Sequence, residues 1–241
     1  MTISSLFRRS GLAIAAAALL VTPAFAQLRI TEVMSSSGVG GTPDWFEVTN
    51  YGSSPVTVTG FRMDDNSFAF ANSVELFGVS EIASGESAVF IESAAGAGIP
   101  DFRTFWGGTA TAADIGYYSG SGVGFSSAGD GVVVFNSAGV EQTPQTSFGA
   151  ATAGSSFFWA YDPFGGFVNG FGSQADGVLS TVGTVAGSSV SQVAFLSATA
   201  LPQNIGSPGT AAVSVPEPSS LGLAAGLVAA GIAARRRGVR N

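Results

Sequence analysis

Glu32 and Glu47 each interrupt an apolar run, Ile30-Thr31-Glu32-Val33 and Trp45-Phe46-Glu47-Val48. If neighbouring strands bring them together, they form a carboxylate pair of the kind that carries out general acid–base work. The competing reading makes both of them structural parts of an early strand pair. Asp64-Asp65-Asn66 is the best local cluster of hard oxygen ligands, with Asp44 and Asp114 as outside contributors. Calcium takes six to eight such oxygens, but three consecutive residues lack the EF-hand spacing and serve equally well as a solvated turn. Phe157-Phe158-Trp159-Ala160-Tyr161, with Phe164 and Phe167, offers aromatic faces either to sugar rings or to a sandwich interior.

The residue inventory removes most other chemistry. The chain has no His, no Cys and no Lys, and all nine basic residues are Arg. Without an imidazole base, a Ser or Cys nucleophile has no activating partner. The usual zinc, copper, haem and iron–sulfur ligand sets cannot form. Asp130-Gly131 and Asp176-Gly177 lack the aspartic-protease form and are expected to be turns. Gly120-Ser121-Gly122-Val123-Gly124 precedes no helix, so it is no dinucleotide fingerprint.

Charge is unevenly distributed. Between Glu32 and Glu217 lie all sixteen acidic residues and only Arg62 and Arg103, with Arg29 just ahead. Such a surface repels nucleic acid, which is excluded as a partner, and attracts divalent cations or cationic partners. With no Cys there are no disulfide staples, so packing alone must hold the fold.

The elements that position these residues lie between two processing signals. Arg8 and Arg9, an apolar run over residues 11–21, and Ala24-Phe25-Ala26 have the three parts of a secretory signal peptide. Cleavage by signal peptidase is expected after Ala26, leaving Gln27 as the mature start. At the other end Pro216-Glu217-Pro218 precedes an Ala/Gly/Leu-rich stretch over residues 221–234, then Arg235-Arg236-Arg237. Fourteen helical residues reach about 21 Å. Ser219, Ser220 and snorkelling arginines extend this to a thin or tilted transmembrane helix. The arginines are expected to stop it on the cytoplasmic side.

In between, short apolar stretches alternate with turn residues. Leu28 and Ile30 are expected off one face of the first strand, with Arg29, Thr31 and Val33 off the other. Further strands are predicted over residues 45–49, 55–59, 87–92, 131–135 and 156–161. Tyr51-Gly52-Ser53-Ser54, Ala83-Ser84-Gly85-Glu86 and Ser137-Ala138-Gly139 are read as turns, and Asp101 to Trp106 as a short helical turn. The fold class expected is all-β, an antiparallel β-sandwich, with helices only in the terminal signals.

Two family resemblances follow. The Pro216-Glu217-Pro218 triplet, short apolar helix and arginine cluster, in that order, resemble the PEP-CTERM sorting signal. That resemblance implies recognition by an exosortase, cleavage near the triplet, and a bacterium that makes exopolysaccharide or biofilm matrix. Ile30-Thr31-Glu32-Val33, Asp44 to Asn50, Gly52, Pro55-Val56, Gly60-Phe61, Gly85-Glu86, Gly129-Asp130-Gly131-Val132 and Ser207-Pro208-Gly209 resemble the lamin tail domain, an immunoglobulin-like sandwich. The resemblance is good from Leu28 to Ile91 and thinner after Ser93.

The expected organisation is a signal peptide over 1–26, a lamin-tail-like sandwich over 27–213 and a sorting segment over 214–241. The expected function is a non-enzymatic structural or interaction module of the cell surface or extracellular matrix, with no required cofactor. Alternatives are a calcium-assisted module binding exopolysaccharide, with Asp64, Asp65 and Asn66 as metal ligands, and a carboxylate-dependent hydrolase.

Overall fold

The computed structural model describes residues 28–38, 42–161, 177–183, 193–198 and 203–210. Among these, the strands in chain order are β1 (Leu28–Met34), β2 (Trp45–Asn50), β3 (Val56–Thr57), β4 (Arg62–Asp64), β5 (Val74–Glu75), β6 (Glu81–Ile82), β7 (Ser87–Glu92) and β8 (Asp114–Tyr118). They continue with β9 (Asp130–Phe135), β10 (Thr146–Phe148), β11 (Phe157–Phe158), β12 (Val178–Leu179), β13 (Phe195–Leu196) and β14 (Ile205–Gly206). One α-helix, α1 (Ile99–Trp106), stands between β7 and β8. The signal peptide, the sorting helix, Asp162-Pro163, Phe164, Phe167 and Asp176 lie outside the described residues.

A large sheet runs in the order β12-β11-β1-β2-β7-β8 and a second sheet in the order β10-β9-β4-β5. Leu28, Ile30, Phe46, Val48, Ala88 and Phe90 from the first meet Met63, Val132, Val134 and Phe148 from the second in one buried cluster. This is the immunoglobulin-like β-sandwich expected from the sequence. Pairing is antiparallel except between β7 and β8, which run parallel. A parallel neighbour needs a long crossover, and residues 93–113 with α1 provide it.

The crossover explains why β2 and β7 carry almost no exposed position. Their other face packs on Phe102, Phe105 and Trp106 of α1, through Trp45, Val89 and Ile91. The three helical aromatics fall at the three- and four-residue spacing that shares one helix face. Trp45 meets Trp106 edge to face at 5.6 Å between ring centroids. Gly107, at φ +62, ends the helix in a conformation that other residues adopt only with strain.

The first strand departs from simple alternation. The β1–β2 register shifts between Ile30 and Glu32. Such a bulge inserts one residue and reverses the facing of everything after it. Val33 therefore joins Leu28 and Ile30 in the inter-sheet core, not Arg29 and Thr31. Asp130-Gly131 also differs from expectation, because it opens β9 and the turn precedes it. Asp130 closes that turn by accepting the Ser126 amide at 2.5 Å.

The expected turns after β2 and before β7 form through named side chains. Asn50 Oδ1 accepts the Gly52 amide, and its Nδ2 donates to the Ser54 and Ile82 carbonyls. Ala83 donates its amide to the Glu86 carboxylate at 2.7 Å. The aromatic stretch from Phe157 to Tyr161 is buried throughout. It belongs to the sandwich interior and offers no exposed face for a sugar ring.

Candidate functional site

Glu32 and Glu47 are brought together. They stand opposite each other in the β1–β2 register, and both are 0% exposed. They lie on the face of the large sheet turned toward α1, where Thr31 stands by alternation and the bulge brings Glu32 beside it. Among the described residues they are held by the segment Ser207 to Thr210, by Ser156 and by Thr31. Glu32 Oε1 accepts the Ser207 amide at 2.8 Å and the Ser156 hydroxyl at 2.5 Å, and its Oε2 accepts the Ser207 hydroxyl at 2.6 Å. Glu47 Oε2 accepts the Gly209 and Thr210 amides at 2.7 and 3.2 Å. Its Oε1 accepts the Thr31 hydroxyl at 2.6 Å.

The returning strap is fixed further by its neighbours. Thr109 donates its hydroxyl to the Pro208 carbonyl at 2.7 Å. A Cβ on Gly206 would lie 2.7 Å from Glu32 Oε1 and 3.0 Å from the Trp106 ring. Only a glycine lets the backbone pass between carboxylate and indole.

Buried carboxylates are costly to ionise, and hydrogen-bond donors only partly offset that cost. Burial pushes Glu32 up to about 7, against the opposing pull of Ser156 and Ser207. Burial, reinforced by the Glu32 charge, raises Glu47 well above the ordinary carboxylate range. Such values would suit a general acid. The pair has no exposed surface, however, and its oxygens are committed to amides and hydroxyls of the strap, Thr31 and Ser156. Its chemistry in the folded chain is that of a clamp on backbone.

The other candidates are placed as follows. Asp64 ends β4, fully buried, and its Oδ2 accepts the Ser67 hydroxyl at 2.5 Å and the Ala69 amide at 2.7 Å. Asp65 and Asn66 form the turn after it, with Asp65 accepting the Ser67 amide and Asn66 donating its amide to Asp130. Asp114 begins β8, exposed, whereas Asp44 stands just ahead of β2. Among the described residues no group of three or more acidic side chains is placed to hold a metal ion. Ala24, Ala26, Gln27, Pro216, Glu217, Pro218 and Arg235 to Arg237 lie outside the described residues. Among those described, no helix is long and apolar enough to cross a membrane.

A hollow of about 500 Å³ opens between Gly60, Arg62, Phe70, Glu75 and Ser137. Its Arg62 donates from Nε and Nη2 to Ser73 and lies 5.7 Å above the Phe70 ring. Sequence reasoning noticed neither this hollow nor the serines that grip Glu32. Ser156 and Ser207 carry no local signal, since their partner is 124 and 175 residues away.

Comparison with known proteins matches the family described as Lamin Tail Domain over residues 22–150. A PEP-CTERM protein-sorting motif matches residues 214–237. No curated protein matches. The sorting motif is that of proteins exported through the membrane to the cell surface or beyond, by way of an exosortase. The lamin-tail match covers more than half of the chain, and the sandwich is of the same immunoglobulin-like kind: this chain belongs to the lamin tail domain family.

Proposed function

We propose that the exported chain is a non-enzymatic module whose sandwich, residues 27–213, serves as a rigid structural or interaction unit of the cell surface or extracellular matrix. Residues 1–26 are its signal peptide, removed by signal peptidase ahead of Gln27. Residues 214–241 are its sorting segment, with Pro216, Glu217 and Pro218 as the recognised triplet and Arg235, Arg236 and Arg237 as the cytoplasmic stop. Its partners outside the membrane are surface polysaccharide or other surface proteins.

The observation that carries this reading is the fate of Glu32 and Glu47. The two carboxylates best suited to catalysis are sealed in the fold, where they bind the backbone of the strap that leads toward the sorting segment. Four amide and hydroxyl donors from Ser207 to Thr210 hold them there. The family and the sorting motif agree with such a role, since one is a structural domain and the other an address.

Fractionation of intact cells, with mass spectrometry of both protein ends, tests the reading. A species beginning at Gln27, trimmed near Pro218 and found on cells or in the medium, is expected. Full-length, untrimmed polypeptide in the cytosol would overturn it.

A further inference from the structure

A second acidic pair stands at the end of the sandwich where β2 begins and β7 ends. The Trp45–Ile91 pairing continues one residue further, with the Glu92 amide donating to the Asp44 carbonyl at 2.8 Å. Glu92 is also in register with Tyr118 on β8. Asp44, Glu92 and Tyr118 therefore form one row across three strands, two positions beyond Phe46 and Phe90 on the face toward the second sheet.

Three features of this row stand out. Neither the Asp44 nor the Glu92 carboxylate accepts a hydrogen bond among the described residues, although like charges directly opposite repel. The Tyr118 hydroxyl, on a fully buried side chain, has no hydrogen-bond partner. Glu92 lies against the loop after β8, so closely that a Cβ on Gly120 would stand 1.8 Å from its Oε1. Among the described residues no arginine answers the charge. Arg62 turns to Ser73, Arg103 to the Ala110 and Thr111 carbonyls, and Arg29 to the Leu28 carbonyl and the Tyr161 ring.

We propose that Asp44 and Glu92 together bind one divalent cation, calcium in the exported compartment, with the buried Tyr118 hydroxyl closing the inner side of the site. Backbone carbonyls of the 119–124 loop and water supply the remaining oxygens, and Gly120 leaves the room that Glu92 needs. Two carboxylates suit a weak extracellular site, with a Kd on the order of 10⁻⁴–10⁻³ M. Asp130 of the opposite sheet and Asp65 in the turn after β4 add negative charge around the same phenol. Burial and the facing Glu92 push Asp44 up to about 7, a sign of how poorly two bare carboxylates are tolerated there. This site is separate from the Asp64-Asp65-Asn66 turn and does not depend on the proposed surface role.

The test is calorimetric titration of calcium chloride into the full chain in mild detergent, with thermal melts alongside. Calcium at a hundredfold its Kd should raise Tm by roughly 5–10 °C, whereas sodium chloride of equal ionic strength should not. Asp44→Asn and Glu92→Gln should each weaken binding at least about tenfold, the loss of one of two charged ligands, and raise the calcium-free Tm by removing repulsion. Gly120→Ala should weaken binding while leaving both carboxylates in place. Absence of calcium binding to the wild-type chain, an equal rise in sodium chloride, or undiminished binding in the Asp44→Asn/Glu92→Gln variant would overturn the proposal.

Discussion

Glu32 on β1 faces Glu47 on β2, and the two sealed carboxylates grip consecutive parts of one strap: Glu32 takes the Ser207 amide and hydroxyl, Glu47 the Gly209 and Thr210 amides. Removing Glu47 strands the partly buried Gly209 and Thr210 amides, while the Thr31 hydroxyl keeps Thr49 as a partner. Each buried donor left unsatisfied costs about 1–3 kcal/mol. Glu47→Ala should therefore lower stability by about 3 kcal/mol or more in urea melts, while Glu47→Gln, which keeps one acceptor oxygen, should lose less. An alanine variant as stable as wild type would show that the strap is not held by this carboxylate.

The same pair sets the direction of the pH dependence. Burial raises Glu32 from its ordinary 4.5 to about 7 and pushes Glu47 up as well, and Asp44 moves the same way to about 7. Each carboxyl holds its proton more tightly in the folded chain than in the unfolded one. The stabilising contribution is thus full below about pH 4.5 and is lost as pH rises through about 7. For Glu32 this is roughly 3 kcal/mol, at about 1.4 kcal/mol per tenfold change in proton affinity. The hydroxyls around the pair tolerate either state, because Thr31, Thr49 and Ser87 form a chain at 2.9 and 2.6 Å in which each can donate or accept. Thermal melts should give a higher Tm at pH 5 than at pH 8, and Glu32→Gln should flatten the difference. A Tm that rises with pH over that range would contradict this assignment.

These relationships were unevenly legible in the sequence. The runs Trp45 to Thr49 and Ser87 to Glu92 read plainly as strands because they alternate β-branched and aromatic residues, and they form β2 and β7. Asn50 at the end of β2 was visible as a pattern, and the structure gives its reason in the three hydrogen bonds that build the next turn. Val33 was misplaced because a bulge is a property of two strands together and leaves no mark in one. Asp130-Gly131 looked like a turn because the dipeptide favours one, but pairing with β10 in the second sheet claimed it for β9. The Glu32–Glu47 pairing was readable as a question, and its answer lay in Ser207, Gly209 and Thr210, whose contacts span most of the chain. Asp44 and Glu92 went unpaired in the sequence reading because only the sheet register puts them face to face.

Gly206 tests how tightly the strap is packed. Its α-hydrogen faces Glu32 Oε1, the Trp106 ring and the Ser156 hydroxyl, all within 3.2 Å of where a Cβ would stand. The carboxylate and indole are themselves buried and cannot move aside freely. Gly206→Ala should destabilise the chain by about 1–3 kcal/mol through overpacking, and denaturant melts would read this directly. Gly122 is the contrast, since nothing lies within 4 Å of its Cβ position. At φ +88 its replacement by alanine carries backbone strain alone. A smaller loss at Gly206 than at Gly122 would mean that the strap yields easily.

The strap also bears on processing. Thr210 is the last of the described residues tied to Glu47, and Pro216 follows after only five more. Even fully extended, that connection spans at most about 20 Å, so a folded sandwich stays close to the triplet that the sorting protease is proposed to recognise. Replacing Pro216, Glu217 and Pro218 together with alanine should leave the tail attached and the protein in the membrane fraction, as read by mass spectrometry of its C-terminus. Glu47→Gln, weakened but folded, should be trimmed like the wild type, because the address lies in the triplet and not in the clamp. A triple-alanine variant trimmed at the wild-type position would place the cleavage signal elsewhere in the tail.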